Sequence, residues 1–476
     1  MKFSLFLSVF LGVGISLHSA VIDIPIHYPT IQQGIDAAVD GDTVIVHPGE
    51  YVENIILSHK NLTIKSRYRG YPSDRHWIEQ TIIRARYYGS VVLLGPGVDS
   101  TTTLMGFTIT DALPPPYGPK TFGGGIYCAR YTSPVLRGLI LAENMAHYGG
   151  GIYCDTHSHP LIDNVRFRNN IAEKGGGLFI DYGAHPTLTQ VSLFHNHATV
   201  AGGGIYCYSQ SRPLVRHSTL AHNSSDFHGG GIFVYATSPL FHNITLYKNR
   251  ALSGGGLYCG MASTVPIVNS IFWQNEPEEI VCSRLLGGQS MILISHSDIQ
   301  GGLSEVMNFG DEIHWLNGNL DVEPQFLNQR EYDFQIIKKS DCLDAGTSFL
   351  AWEGDTLLDM NSDSYIGPAP DMGAFEVFYT TGLNSSLDVQ NFTLQPNAPN
   401  PFNRQTRFSF YLPHSVHTTL SIYDASGRFV YTLVDAFRSS GWHRVSWDAD
   451  AVASGVYLAV LRAGEYTQFR KCICLK

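Results

Sequence analysis

The chain has 476 residues and a formal net charge of −10, and only 15% of its residues are charged, against roughly 25% in an average soluble protein. A hydrophobic fraction of 44% excludes general disorder, and the acidic balance without a basic cluster argues against nucleic acid as a partner. The 47 glycines, 25 tyrosines and 25 phenylalanines indicate a β-rich chain with many turns rather than a helical one.

Residues 1–20 have the pattern of a secretory signal peptide. Lys2 precedes an apolar run from Phe3 to Ile15, and Ala20 ends a short polar stretch that suits cleavage. The apolar run is short for a bilayer span. We therefore expect the chain to be exported, with cleavage close to Ala20.

Residues 28–38 predict a short amphipathic helix with Thr30 near its N-cap. Residues 41–51 follow as a strand, a turn and a second strand. A solenoid needs its open end covered, and a helix placed across the first coil would do this. We expect this helix to be an N-terminal cap.

Six copies of a repeat occupy the middle of the chain. Each copy opens with three glycines, an aliphatic residue, an aromatic residue and a small apolar residue. The blocks begin at Gly123, Gly149, Gly175, Gly202, Gly229 and Gly254. A proline and an alternating apolar stretch follow each block, and one asparagine closes each copy. These asparagines are Asn144, Asn170, Asn196, Asn223, Asn249 and Asn275.

A spacing of 25–27 residues is typical of two solenoids, the leucine-rich repeat and the parallel β-helix. Leucine-rich repeats need a helical stretch, whereas here every apolar segment alternates with period two and is bounded by Gly, Pro and Asn. The pattern therefore predicts a parallel β-helix of three-sided coils. Right-handed winding is expected from the handedness of parallel crossovers.

Within each Gly block the fourth and sixth residues share one side of the strand and should point inward, while the aromatic fifth residue points outward. The sixth position is Cys, Ile or Val in different copies, which indicates buried thiols that act as core filler. A Cys128–Cys154 disulfide fits the spacing but suits stacked parallel strands poorly, and a zinc site is less favoured still. The asparagines predict an inward carboxamide ladder at a left-handed turn, and the glycines predict positive φ at another corner.

The Gly-rich coils and the segment before them resemble the pectin-lyase-like right-handed β-helix superfamily of secreted bacterial proteins. The resemblance covers residues 21–378. Residues 321–326, 333–334, 343–346 and 370–376 are similar to the closing coils of such surface proteins. The resemblance is specific for the fold and much less specific for an activity.

A polar linker at 379–390 precedes a different pattern at 391–476. About seven short alternating strands with turns at regular intervals predict a small immunoglobulin-like β-sandwich. The Asn-Pro-Phe-Asn entry at 400–403, the Trp447-Asp448 pair and the terminal Lys476 resemble the C-terminal sorting domain of type IX secretion substrates. Cys472 and Cys474 depart from that pattern, and we expect them to pack rather than pair.

Enzymes of the resembled superfamily need clustered acidic residues, either to hold calcium beside a basic residue or to act as acid and base on adjacent coils. The outward positions offer Asp155, Asp163 and Asp181 singly, without a recurrent Arg or Lys. Asp155 and Asp181 follow the Gly block in neighbouring copies and should stack one coil apart. We expect two solvated carboxylates at a turn, with a catalytic pair as the alternative.

Two patterns in the sequence are similar to metal sites. The first is a group of histidines without a recurrent ligand spacing, so no metal is expected there. Its members are His195, His197, His222 and His228. The second is the alternation of Asp359, Asn361 and Asp363, which is similar to a calcium loop but lacks the following Gly and the Glu at position twelve. A structural calcium ion at this loop is the one cofactor that the sequence suggests.

The outward aromatic residues of the six blocks should stack about 4.8 Å apart along one sheet. This ladder comprises Tyr127, Tyr153, Phe179, Tyr206, Phe233 and Tyr258. It would suit a sugar-stacking platform, and the alternative is that the rings stabilise coil stacking beneath covering loops.

The leading hypothesis is a monomeric, non-catalytic protein at the cell surface that binds a polysaccharide or surface glycan, with residues 391–476 addressing it to the export machinery. A polysaccharide lyase or glycosidase with a divergent site is the alternative, and its weight rests on the fold alone. A purely structural surface component is the third hypothesis.

Overall fold

The strand after each Gly triplet stacks in register on its counterpart in the next coil. In this computed structural model the paired residues form one fully buried column. The column is Ile126, Ile152, Leu178, Ile205, Ile232 and Leu257. The predicted in-register coils and the inward direction of these side chains are therefore confirmed.

The structure describes residues 19–70, 74–284, 287–362, 364–377, 392–412, 416–425, 428–450, 452–463 and 466–475. The predicted signal peptide up to residue 18 lies outside the described residues. So does the predicted linker at 379–390. The domain boundaries placed in that stretch remain predictions.

Two parallel sheets make the walls of the solenoid. Sheet 1 has ten strands: Ile55–Leu57, Val92–Leu94, Ile126–Cys128, Ile152–Cys154, Leu178–Ile180, Ile205–Tyr208, Ile232–Tyr235, Leu257–Gly260, Ile280–Ser283 and Val306–Phe309. Sheet 2 has twenty strands: Val21–Ile24, Thr43–Val46, Gly49–Val52, Thr63–Lys65, Thr81–Arg84, Thr103–Met105, Thr108–Thr110, Val135–Arg137, Ile140–Ala142, Leu161–Asp163, Arg166–Arg168, Thr187–Thr189, Ser192–Phe194, Leu214–Ala221, Leu240–Tyr247, Thr264–Val268, Ile271–Trp273, Met291–Ser295, Asp298–Ile299 and Glu312–Trp315. In the repeats each coil gives one segment to sheet 1 and two segments, or one long strand, to sheet 2, which makes the coil three-sided.

A short third sheet is formed by segments that precede three of the Gly blocks. Its strands are Ile171–Lys174, His197–Ala201 and Ser224–Ser225. Helical segments are few: α-helices at Ile31–Ala37 and Arg75–Gln80, and 3₁₀ turns at Gly302–Glu305 and Gln329–Glu331. No helix in the described part of the chain is both long and apolar enough to cross a membrane.

The helix Ile31–Ala37 has the N-cap that the sequence predicts. Thr30 is extended, and its hydroxyl accepts a hydrogen bond from the main-chain N–H of Gln33 at 3.2 Å. Ile31 and Ile35 are buried and join the same apolar core as the first strands of sheet 2. The helix thus contributes apolar side chains to the beginning of the solenoid.

The asparagines form the predicted inward ladder. Asn144 Nδ2 donates to Asn170 Oδ1 at 3.1 Å, and the next four steps repeat this contact at 2.9, 2.9, 2.9 and 2.8 Å. Each amide also donates to a main-chain carbonyl, as Asn196 does to Phe167 at 3.2 Å. The side chains are buried, so these bonds satisfy polar groups that water does not reach.

The left-handed turn falls one residue earlier than predicted. The residue before each ladder asparagine has positive φ, whereas the asparagine does not. These left-handed residues are Glu143, Asn169, His195, His222, Lys248 and Gln274. The reason is geometric, since the preceding residue turns the chain and leaves the asparagine free to point inward.

Only the first glycine of each triplet has positive φ, for example 65° at Gly149. The other two glycines are needed for close approach of the coils. A Cβ on Gly151 would lie 2.6 Å from the carbonyl oxygen of Gly177 in the next coil. The triplets therefore combine one left-handed corner with two positions at which any side chain would collide with main chain.

The eight cysteines are all free and buried. Cys128 and Cys154 occupy the predicted core position and form no disulfide. Cys472 and Cys474 pack in the core of the C-terminal domain, as expected.

The segment 324–377 does not continue the coils, so the expectation of closing coils there is wrong. It contains two antiparallel hairpins, Phe326–Asn328 with Asp333–Ile336 and Phe349–Trp352 with Asp355–Asp359. Apolar side chains from this segment pack on outward residues of sheet 2, including Tyr247 and Ile271. The apolar side chains of this segment cover outward apolar residues of sheet 2. The chain therefore packs on this wall of the solenoid instead of adding another coil.

The C-terminal domain has seven described strands in two antiparallel sheets. One sheet contains Thr393–Leu394, Gln405–Leu412 and Gly441–Asp448. The other contains Phe429–Arg438, Val416–Asp424, Gly455–Ala463 and Tyr466–Cys474. Both sheets contribute to one apolar core that is separate from the core of the solenoid.

Candidate functional site

The six aromatic rings of the Gly blocks project from the outside of sheet 1, as the sequence predicts. Neighbouring ring centres are 4.8 to 5.6 Å apart along the solenoid. However, five of the six residues are only 3–6% exposed, and Tyr127 alone is half-buried. The ladder therefore exists, but most of it is not at the surface.

A second layer of side chains covers the ladder. The rings of Phe122 and Tyr148 lie against Tyr153 and Phe179, with centres 4.9 and 5.5 Å apart. Further along, Lys174 Nζ lies 5.5 Å from the ring centre of Tyr206. The binding role of the six rings stays a prediction, and their burial favours the alternative that they hold the coils together.

The two stacked aspartates have tyrosine partners. The Tyr127 hydroxyl donates to Asp155, and the Tyr153 hydroxyl donates to Asp181 in the next coil. Burial first, and then the neighbouring carboxylate, raises the pKa of both tyrosines, so the hydroxyls keep their protons. Asp155 is buried and also lies 3.4 Å from Arg130 Nε. The expectation of solvated carboxylates is therefore wrong for Asp155, because Tyr127 in the preceding coil donates a hydrogen bond to it.

Asp163 is also paired within the wall of the solenoid. Arg137 Nε lies 2.8 Å from its carboxylate. Burial raises the pKa of Asp163, and the adjacent guanidinium opposes this shift. The pair explains why a carboxylate is tolerated at a mostly buried position.

The predicted calcium loop is only partly described. Asp359 ends a hairpin strand and Asn361 follows it, and both are exposed. Asp363 lies outside the described residues. Calcium at this loop stays a prediction.

The histidines singled out in the sequence occupy different surroundings. His195 Nε2 lies 2.6 Å from the Tyr332 hydroxyl, whereas His197 Nδ1 lies 3.0 Å from the Ser224 hydroxyl. His222 stacks on His195 with ring centres 5.2 Å apart. Among the described residues, no group of three or more His, Cys, Asp or Glu side chains is arranged to hold a metal ion.

A cleft of about 820 Å³ opens beside the last asparagine of the ladder. Three outward positions of the repeat line the cleft. They are the last residue of the sheet 2 strand, the residue before the ladder asparagine and the residue after it. The lining includes His222, Lys248, Arg250, Trp273, Glu276, Glu279, Glu305 and Asp321. Trp273 is half-buried and packs against the apolar cluster that segment 324–377 forms with sheet 2.

The cleft contains one carboxyl group with a strongly shifted titration. Glu279 is 3% exposed, and burial raises its pKa from 4.5 to about 8, although hydrogen bonds from Asn275 oppose the shift. Glu305 raises it further by charge repulsion. Glu279 is therefore largely protonated near neutral pH.

Sequence reasoning missed this cleft. The ladder asparagines recur every 26 or 27 residues up to Asn275, and Gly301 stands 26 residues further on. The missing asparagine was the signal in the sequence that could have indicated the cleft. Where the next coil has no asparagine, another group must accept the hydrogen bonds that Asn275 donates.

Two comparisons with family models agree with this architecture. Residues 120–307 match the right handed beta helix region, and residues 398–475 match the secretion system C-terminal sorting domain. No curated protein matches the chain. With the stacked parallel coils, these matches show a secreted right-handed β-helix protein that the type IX system exports to the cell surface or the extracellular space.

Proposed function

We propose that this exported right-handed β-helix protein is a non-catalytic carbohydrate-binding protein whose ligand occupies the cleft beside Trp273. The observation that carries the proposal is an indole ring in a cleft of about 820 Å³ with cationic and anionic side chains around it. Binding sites for small ligands combine an apolar surface with a few polar groups in this way.

The chemistry of the lining suits a sugar. An indole face packs on the apolar C–H face of a pyranose, and the surrounding groups bond its hydroxyls. Lys248 and Arg250 supply donors, and Glu276 and Asp321 supply acceptors. Lys248 and Arg250 are exposed, and neither forms a salt bridge in the described part of the chain.

The carboxylates of the repeats already have partners on the protein, which supports a non-catalytic role. Asp155 and Asp181 accept tyrosine hydroxyls, and Asp163 pairs with Arg137. A general acid or base needs access to the substrate. These three groups are instead used to join neighbouring coils.

A glycosidase is the second candidate, and Glu279 favours it. A carboxyl group that keeps its proton near neutral pH is what general acid catalysis of glycoside cleavage requires, and Glu279 lines the cleft. Against this, both carboxylate oxygens accept hydrogen bonds from Asn275. Glu279 therefore already serves as the end of the asparagine ladder. For this reason we place the glycosidase second.

The intact protein should be titrated with a panel of neutral oligosaccharides, with product release followed in the same samples. We expect binding without cleavage, and about ten-fold weaker binding by Trp273→Ala or by the exposed Arg250→Ala. Arg168→Ala, an exposed arginine before the ladder in an earlier coil, is the matched control. Cleavage that Glu279→Gln abolishes would establish the second candidate, and no binding to any glycan would leave a structural role.

A further inference from the structure

The two ends of sheet 1 differ in how their outermost strand is covered. At the first strand, the Gln32 side chain takes the place of a neighbouring strand, because its Nε2 donates to the Ile56 carbonyl at 3.1 Å and its Oε1 accepts the Ile56 N–H at 2.7 Å. At the other end, Val306–Phe309 pairs with Ile280–Ser283 on one side, and no strand of the described residues pairs with its other side. The last coil therefore presents an open strand edge.

The hydrogen bonds of the repeats show which main-chain groups face this edge. The first residue of a sheet 1 strand donates its N–H to the next coil, as Ile126 does at 2.9 Å. The third residue offers its carbonyl to the next coil, as Cys128 does at 2.9 Å. Val306 and Asn308 hold these first and third positions in the last coil. Their N–H and C=O groups therefore point to the side on which no coil follows.

The outward side chains at this edge are apolar and exposed. Met307 is 41% exposed and Phe309 is 46% exposed, and Leu303 just before the strand is 50% exposed. Residues 306–310 include no charged side chain of the kind that keeps natural edge strands from pairing. Exposed apolar side chains beside unpaired main-chain groups are typical of a surface that receives another strand.

The two ends of the edge strand carry opposite charges. Glu305 precedes the strand, and Arg284 lies at its far end, where Nη1 donates to the Gly310 carbonyl at 3.1 Å. Both charged side chains are exposed, and neither forms a salt bridge within the described part of the chain. An identical strand in the antiparallel direction would place a carboxylate beside a guanidinium at each end. The edge is therefore complementary to itself.

We propose that this edge pairs with the same edge of a second copy of the chain, antiparallel and across a two-fold axis. With Met307 facing its counterpart on the axis, Val306 of each copy exchanges two hydrogen bonds with Asn308 of the other. Glu305 of each copy then lies beside Arg284 of the other, because a two-fold axis repeats every contact. This dimer replaces the monomer of the hypothesis drawn from the sequence.

The test is sedimentation velocity of the intact protein over a wide range of concentration, for which we expect a reversible monomer–dimer equilibrium. Met307→Lys places two ammonium groups opposite each other on the axis and should weaken dimerisation about ten-fold. Ile56→Lys is the matched control, since Ile56 holds the same outward position at the covered end of sheet 1 and is 53% exposed. It should leave the equilibrium unchanged, and thermal unfolding should show that both variants are folded.

Charge reversal tests the contact between the two copies directly. Arg284→Glu should weaken the dimer, and its combination with Glu305→Arg should restore the dimer because the pair forms again with exchanged signs. A monomer at every concentration would overturn the proposal, as would a dimer that neither Met307→Lys nor Arg284→Glu weakens. Growth beyond the dimer would show that the edge joins a different surface of the next copy, which also excludes the two-fold pairing.

Discussion

Glu279 stands where the next asparagine of the ladder would stand. Its Oε1 accepts the main-chain N–H of Asn275 at 3.1 Å, and its Oε2 accepts the side-chain amide of Asn275. Asn275 makes the same pair of contacts to Asn249, with its single Oδ1 as the acceptor of both. A carboxyl group thus ends a row of carboxamides at the edge of the cleft.

This replacement predicts a pH dependence. The folded pKa of Glu279, about 8, lies above its ordinary 4.5, so its contribution to stability is complete below about 4.5 and is lost as the pH rises through about 8. Glu279→Gln keeps an acceptor for Asn275 and does not ionise. We therefore expect the unfolding temperature of the native protein to fall more steeply between pH 5 and 8.5 than that of the variant. Parallel curves for the two proteins would contradict this assignment.

Because neighbouring coils lie in close contact at the Gly triplets, adding one methyl group there should lower the stability of the fold. Gly151→Ala places a Cβ 2.6 Å from the carbonyl oxygen of Gly177, and we expect a loss of roughly 1–3 kcal/mol in stability. Gly49→Ala is the control, since its Cβ would meet the Tyr51 ring at an ordinary 3.5 Å. Thermal or denaturant unfolding should separate the two variants, and an equally stable Gly151→Ala would show that the coils can move apart.

The thiols of the core are predicted to be inert. Burial raises the pKa of Cys207 above its ordinary value, and all eight cysteines are buried. A thiol reagent at neutral pH should label the native protein slowly and label eight sites after denaturation. Rapid labelling of Cys128, Cys154, Cys207 or Cys259 in the native protein would show that the solenoid opens locally.

Removal of the chain after Phe378 is predicted to abolish surface delivery and to leave the solenoid folded. The two domains have separate apolar cores, and the second one matches the sorting domain. Fractionation of the native host should find the truncated protein in the periplasm, with an unchanged unfolding temperature of the solenoid.

The Arg137 guanidinium lies 5.1 Å from the ring centre of Phe437 across the domain boundary. Phe437→Ala in the full chain is the control for that contact. Surface delivery of the truncated protein would refute the addressing role, and a much earlier melting of its solenoid would refute the independence of the two domains.

The sequence of the repeats by itself determines the solenoid. A strand exposes side chains with period two, so a block of six residues assigned Ile126 to the interior and Tyr127 to the exterior. The recurrent asparagine predicted the ladder because a carboxamide both donates and accepts. These features depend on residues within one coil and its neighbours, which the period places in register.

The tertiary structure decided what lies outside the coils. Side-chain direction does not determine exposure. The aromatic ladder points outward yet is covered, because the rings of Phe122 and Tyr148, which directly precede two Gly blocks, pack over it. The repeat aligns this position but does not keep it aromatic, so the pattern alone does not predict the cover. The sideways packing of 324–377 and the cleft at Glu279 depend on contacts between segments that share no repeat. Local sequence determines where a side chain points, whereas long-range packing decides whether a ligand can reach it.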